Sequence, residues 1–215
     1  DIFKPILPIT KADKEKRLRM RIFEKYINAE NTVLLEEWEL IKNTGRLTHI
    51  RKEELLAQQN ILFKDEVFIE KGVMRAYMID DDGNDKSIAF FQKGEFMSIS
   101  TLRTKNGKSL HYYQALCETK LLLFKPEVIR SFLSRNNSLI QIGKNIKEKE
   151  IERLRNRDNC LLQVRAKDKY LSFLKYYPNL EMHISQKHIA SYLGITPVSL
   201  SRLKSDLKKN KTDNN

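Results

Sequence analysis

The chain has 215 residues, 40% of them hydrophobic, and a formal net charge of +12. That apolar content suits one large or two small packed domains and excludes a disordered chain. The two cysteines, Cys117 and Cys160, are too few for a disulfide framework, a zinc cluster or a multi-cysteine iron–sulfur site.

No apolar run reaches a membrane span and no signal-peptide core opens the chain, so the sequence reads as cytoplasmic, without a membrane partner. Its first residue is Asp1, which reads as a trimmed start. The positive charge points to a polyanionic partner.

Residues 11–28 pattern as a helix with Leu18, Ile22 and Tyr26 on one stripe, joined by Phe23 and Ile27. Its other face is basic (Lys14, Lys16, Arg17, Arg19, Arg21, Lys25), open either to a membrane surface or DNA, or simply solvated while the stripe packs on the next domain. Asn31-Thr32 caps a second short helix through Trp38, Leu40 and Ile41, ended near Gly45.

From Arg46 to about Phe124 the period switches to two. Val67 and Ile69, then Val73, Arg75, Tyr77 and Ile79, alternate as strands do. Asp80-Asp81-Asp82-Gly83-Asn84-Asp85 is a turn, and residues 87–91 return from it. Gly94, the Asn106-Gly107 turn, residues 110–116 and residues 121–124 complete a small β-sandwich or jelly roll.

Pro126 opens a helical region. A longer helix over 138–157 carries Leu139, Ile142, Ile146, Ile151 and Leu154, but its stripe slips where Lys149 and Glu150 interrupt it. These five either pack on their own domain or form a dimer seam. Residues 160–177 read as another helix, stopped by Pro178-Asn179, and 180–184 as a strand.

Ser185 then caps a helix-turn-helix over 186–203. Ala190 is small where two helices meet, and Gly194 marks the turn, where positive φ suits glycine. Thr196 is the N-cap of the second helix and Pro197 its first residue. Ile189, Leu193, Ile195, Leu200 and Leu203 form the buried faces, leaving Val198, Ser199, Ser201, Arg202 and Lys204 outward. From Cys160 onward, ten Lys/Arg stand against four Asp/Glu, so half the excess charge surrounds this motif. That distribution makes double-stranded DNA the expected partner.

Helix, β-roll, long helix and helix-turn-helix, in that order, resemble the Crp/Fnr family of bacterial transcription regulators over about residues 38–207. The motifs are Glu53-Glu54-Leu55-Leu56-Ala57-Gln58-Gln59, Lys71-Gly72-Val73-Met74-Arg75-Ala76-Tyr77, Asp82-Gly83-Asn84-Asp85, Gly94-Glu95-Phe96 and residues 189–203. The phrase His188-Ile189-Ala190-Ser191-Tyr192-Leu193-Gly194-Ile195-Thr196-Pro197 looks like the branch found in Bacteroidetes. The resemblance implies an α+β fold: an N-terminal cyclic-nucleotide-binding-like β-roll (jelly roll) with flanking helices, a long dimerisation helix, and a C-terminal helix-turn-helix. The domains would span 1–30, 31–135, 136–158 and 159–215. The chain would act as a homodimer on a palindromic operator, with RNA polymerase a further candidate partner and the small-molecule effector unidentified.

Two positions depart from the family. Its cyclic-nucleotide binders grip ligand with a Gly-Glu pair and a downstream arginine, whose places here fall near Ser98-Ile99 and Ser109. Lys108 lacks the planar fork of arginine, so tight cyclic AMP binding is not expected. Tyr77, Phe91, Met97, Ser98 and Tyr112 are the candidate lining of an effector pocket. The recognition helix has Pro197 and Val198 where the best-known members carry Arg and Glu, while Arg202 is kept, so the operator should differ.

The expected DNA contacts are Lys187, Thr196, Pro197, Val198, Ser199, Ser201, Arg202, Lys204 and Lys208, with Lys209 on phosphates. After Leu207 no room remains for a two-stranded wing, and a disordered basic tail is expected. His49 and His111 are isolated, the family's N-terminal cysteine cluster is absent, and no catalytic constellation stands out, so no metal, cofactor or enzyme activity is expected. The competing reading is a ligand-binding signalling module that contacts protein rather than DNA.

Overall fold

The computed structural model describes residue 41 and residues 44–97, 106–135 and 137–212, apart from the side chains of 138, 208 and 210–212. The helix expected over 11–28 and most of the one that follows lie outside the described residues.

Among the described residues there are eight strands: β1 (Arg46–Ile50), β2 (Leu55–Ala57), β3 (Glu66–Lys71), β4 (Val73–Ile79), β5 (Asp85–Gln92), β6 (Phe96–Met97), β7 (Tyr112–Ala115) and β8 (Thr119–Phe124). They form two antiparallel four-stranded sheets, ordered β1-β8-β3-β6 and β2-β7-β4-β5. The β3–β4 turn requires Gly72: its φ is +103°, and a Cβ there would lie 2.8 Å from the Thr119 backbone. The β4–β5 turn closes on itself, with the Asn84 amide donating to the Asp80 carboxylate at 2.7 Å.

Five helices follow: α1 (Pro126–Leu133), α2 (Asn137–Leu162), α3 (Ala166–Tyr176), α4 (Gln186–Leu193) and α5 (Pro197–Thr212). None among the described residues is long and apolar enough to cross a membrane.

Alternation along the strands sorts the apolar side chains into three cores. Val67, Ile69, Met74, Ala76, Phe91, Tyr113, Leu121 and Leu123 fill the roll. On the outside of the first sheet, Phe68, Leu122 and Phe124 pack against Ile129 and Phe132 of α1 and Leu139 and Ile142 of α2, with Ile41 joining them. On the outside of the second, Val73, Phe90 and Leu116 pack against Tyr170, Phe173, Tyr177, Ile189, Tyr192, Leu193 and Leu200. Phe90 is fully buried there, its ring 5.4–6.2 Å from those of Phe173, Tyr177 and Tyr192.

Three local expectations are corrected. The long helix does not end at 157: no glycine or proline occurs at 158–162, Cys160 is buried inward, and the helix break falls at 163–165. Residues 180–184 are not a strand, because Asn179 takes φ +65° and winds Leu180–Met182 into a 3₁₀ turn. The basic tail is not disordered at its start: α5 runs on to Thr212, with Leu203 and Leu207 extending the buried stripe of Leu200.

Phe90→Ala should cost about 3–5 kcal/mol, the range for a fully buried phenylalanine. Urea unfolding followed by circular dichroism and tyrosine fluorescence should show one transition moved to lower midpoint.

Candidate nucleic-acid interface

The turn between α4 and α5 is built as the residue types require. Gly194 adopts φ +67°, and the Ile195 amide donates back to the Ala190 carbonyl at 3.0 Å, closing the end of α4. Thr196 Oγ1 accepts the Ser199 amide at 3.1 Å, capping α5, and Pro197 takes its first position. Ser185 occupies the N-cap of α4 but its side chain makes no capping bond; its carbonyl accepts the His188 amide.

With Leu200 fully buried, Thr196, Pro197, Val198, Ser199, Ser201 and Arg202 are exposed along the outer side of α5 and its cap. Lys187, also exposed, stands at the start of α4, and Lys208 and Lys209 lie further along α5.

Lys204 is different. Its ammonium lies 2.8 Å from Glu181 Oε2, which also accepts the Tyr170 hydroxyl, and 5.9 Å from the Tyr170 ring centre. The 3₁₀ turn brings Glu181 to this spot, so Lys204 is ion-paired within its own domain.

The same motif is bonded to the roll. Ser191 Oγ donates to the Asp85 carbonyl and accepts the Ser87 amide, both at 2.8 Å. Beneath it, the Arg75 guanidinium is almost wholly buried and donates to Gln114 (2.9 Å), Ser87 (3.3 Å) and Asp85 (2.8 Å), with the Tyr77 ring 4.2 Å away. Burial pushes the Asp85 carboxyl up, and Arg75 and Lys187 more than offset it, holding it below its ordinary value. His188 borders this group with its Nδ1 buried and unbonded; burial, then Arg75, pushes its pKa down to about 4.

The five effector candidates do not converge. Tyr77 and Tyr112 stack at 5.0 Å on the outer face of the second sheet, beside Arg75, whereas Phe91 and Met97 are packed inside the roll. Ser98 lies outside the described residues. Ser109 is buried and donates its hydroxyl to the His111 carbonyl at 2.6 Å, while Lys108 is exposed. His49 is exposed on β1 and His111 half-buried; among the described residues no group of three or more His, Cys, Asp or Glu could hold a metal.

The proposed dimer residues divide. Leu139 and Ile142 are fully buried against α1 and the roll, and Ile146 partly so; these three are corrected to packing within the protomer. Ile151 and Leu154 are about half exposed, as is Ile140, which sequence reading missed. What read as one slipped stripe is two. The inward one is Leu139, Ile142, Ile146, Glu150, Arg153 and Cys160; the outward one is Ile140, Lys144, Lys147, Ile151 and Leu154, at alternating spacings of four and three.

The sequence matches no family model and no curated protein. Solved structures share the fold. FixK2 from Bradyrhizobium japonicum is 18% identical with a TM-score of 0.67, covering 78% of this chain and 86% of its own. A Crp/Fnr-family transcriptional regulator from Eubacterium rectale is 13% identical with a TM-score of 0.65, covering 88% of each chain. The c-di-GMP-responsive global regulator CLP of Xanthomonas campestris is 12% identical with a TM-score of 0.63, covering 82% of this chain and 92% of its own. The chain therefore has the Crp/Fnr-type fold, a cyclic-nucleotide-binding-like roll joined to a helix-turn-helix.

Because the folded His188 binds its proton below the ordinary 6.5, the unfolded chain holds more protons between about pH 4 and 6.5. Its contribution to stability is thus complete above pH 6.5 and lost as pH falls toward 4. Melting temperatures between pH 7 and 5 should fall less steeply for His188→Gln than for the wild type.

Proposed function

We propose that this protein is a sequence-specific DNA-binding regulator of transcription, acting in the cytoplasm as a homodimer. The observation that carries the reading is the capped α5, with its outer side from Pro197 to Arg202 exposed, on a fold shared with transcription regulators. In this reading the first turns of α5 enter the major groove. Arg202 donates bidentately to guanine O6 and N7, Val198 touches a thymine methyl, and Ser199 and Ser201 contact bases or phosphates. Lys187, Lys208 and Lys209 meet phosphates.

A second copy packs along the outward stripe of α2, through Ile140, Ile151 and Leu154. The alternating spacing suits a two-helix seam, and the symmetry sets two half-sites about 34 Å apart. A regulatory rather than enzymatic role agrees with the regulators that share the fold, and RNA polymerase is the partner such a role implies. The effector stays unassigned, but the Ser109 hydroxyl is already given to a carbonyl, and no arginine stands at 108–109 to grip a cyclic phosphate.

Operator selection from random DNA should recover a palindrome. Arg202→Ala should weaken binding to it by about 1–3 kcal/mol while leaving non-specific binding intact. Lys187→Ala should lower the salt slope by about one unit for every sequence. Calorimetry should detect no submicromolar cyclic AMP binding; salt-insensitive or absent DNA binding would favour a module acting through protein contacts.

A further inference from the structure

Between Ile146 and Cys160, the inward face of α2 has no apolar residue. The only apolar side chains at 147–159 are Ile151 and Leu154, and both face outward. For about 20 Å of helix, at 1.5 Å per residue, α2 meets the roll without apolar packing, between the anchors Leu139, Ile142 and Ile146 at one end and Cys160 at the other.

One buried arginine takes that place. The Arg153 side chain is only 5% exposed. Its guanidinium pairs with Glu150, one turn earlier on α2, and with Glu95 at 3.3 Å, in the turn before β6. Its plane lies 4.3 Å from the centre of the Phe91 ring, whose other contacts fill the roll. Two carboxylates and an aromatic face, from α2 itself, the turn before β6 and β5, thus hold a planar cation in one orientation.

We propose that Arg153 is a positioning residue: it fixes the rotation of α2 on the roll and thereby the face offered to a second copy. Successive helical residues are about 100° apart, so anchoring Arg153 inward holds Leu154 and Ile151 outward on the same turn. Were α2 to turn by one residue, Leu154 would move toward the roll and the guanidinium toward water. The apolar seam and the buried cation are two sides of one choice. The proposal rests on the homodimer reading and adds the device that orients the dimer seam.

Sedimentation equilibrium and operator binding of the full-length chain test this, at a temperature where each variant is folded by circular dichroism. Arg153→Ala should weaken both by at least about tenfold, since it leaves Glu150 buried without its partner. Millimolar guanidinium ion should restore both, whereas ammonium ion at equal ionic strength should not. Arg153→Lys should remain weak, because an ammonium offers a point charge without the planar fork.

If Arg153→Ala does not fold, Glu95→Gln serves instead: Glu95 is a third exposed and Arg153 keeps Glu150 as its partner, so no buried charge is left unpaired, and the dimer should weaken several-fold. A lowered melting temperature with unchanged dimer affinity in either variant would make Arg153 merely structural and overturn the proposal. A wild-type chain that stays monomeric overturns the dimer reading and this one together. A dimeric wild type indifferent to both substitutions overturns this one alone.

Discussion

Strand β5 is claimed from both sides. Ala89 and Phe91 face the roll interior, while Phe90 between them is the centre of an aromatic group drawn from α3, α4 and the turn after α3. A strand with one dry and one wet face tolerates changes on the wet one; β5 has no wet face over these residues. The placement of the C-terminal helices on the second sheet follows from that double burial. It seats α4 on the second sheet, sets the angle at which α5 leaves the turn, and encloses Arg75 between sheet and helix.

Enclosure explains the polar architecture too. A buried guanidinium needs its donors satisfied, and Arg75 finds acceptors on β5 and β7 before α4 closes over them. Asp85 then serves Arg75 through its carboxylate and Ser191 through its backbone. The hydrogen bonds between roll and helix-turn-helix therefore begin at the turn end of the same β4–β5 hairpin, and a displacement of that end moves the acceptor of α4. A shift of the roll at this point is thereby passed to the helix-turn-helix through a shared set of bonds.

Much of this was legible in the chain because it rests on local chemistry. Gly194, Thr196 and Pro197 each have one backbone conformation or capping role that they fill well, and they occupy it here. The strand alternation Val73, Arg75, Tyr77 did mark one face. Period two alone cannot say which face is inside when both are buried, so Tyr77 read as a pocket residue although it lies outside the roll. Along α2 the failure was of polarity. Glu150 and Arg153 are buried, yet charged residues read as solvated, so two interleaved stripes merged into one that slipped. The Lys204–Glu181 ion pair was not legible either, because Glu181 comes from a turn that resembled a strand.

The aromatic group around Phe90 has a consequence for how such chains diversify. A roll severed from its output domain would present Val73, Phe90 and Leu116 to water as a sticky patch, and the helix-turn-helix would lose the lid over its own core. Roll and helix-turn-helix cannot be exchanged like beads on a string. A recombination event that gave this roll a different C-terminal domain would succeed only if the incoming domain brought its own aromatic socket.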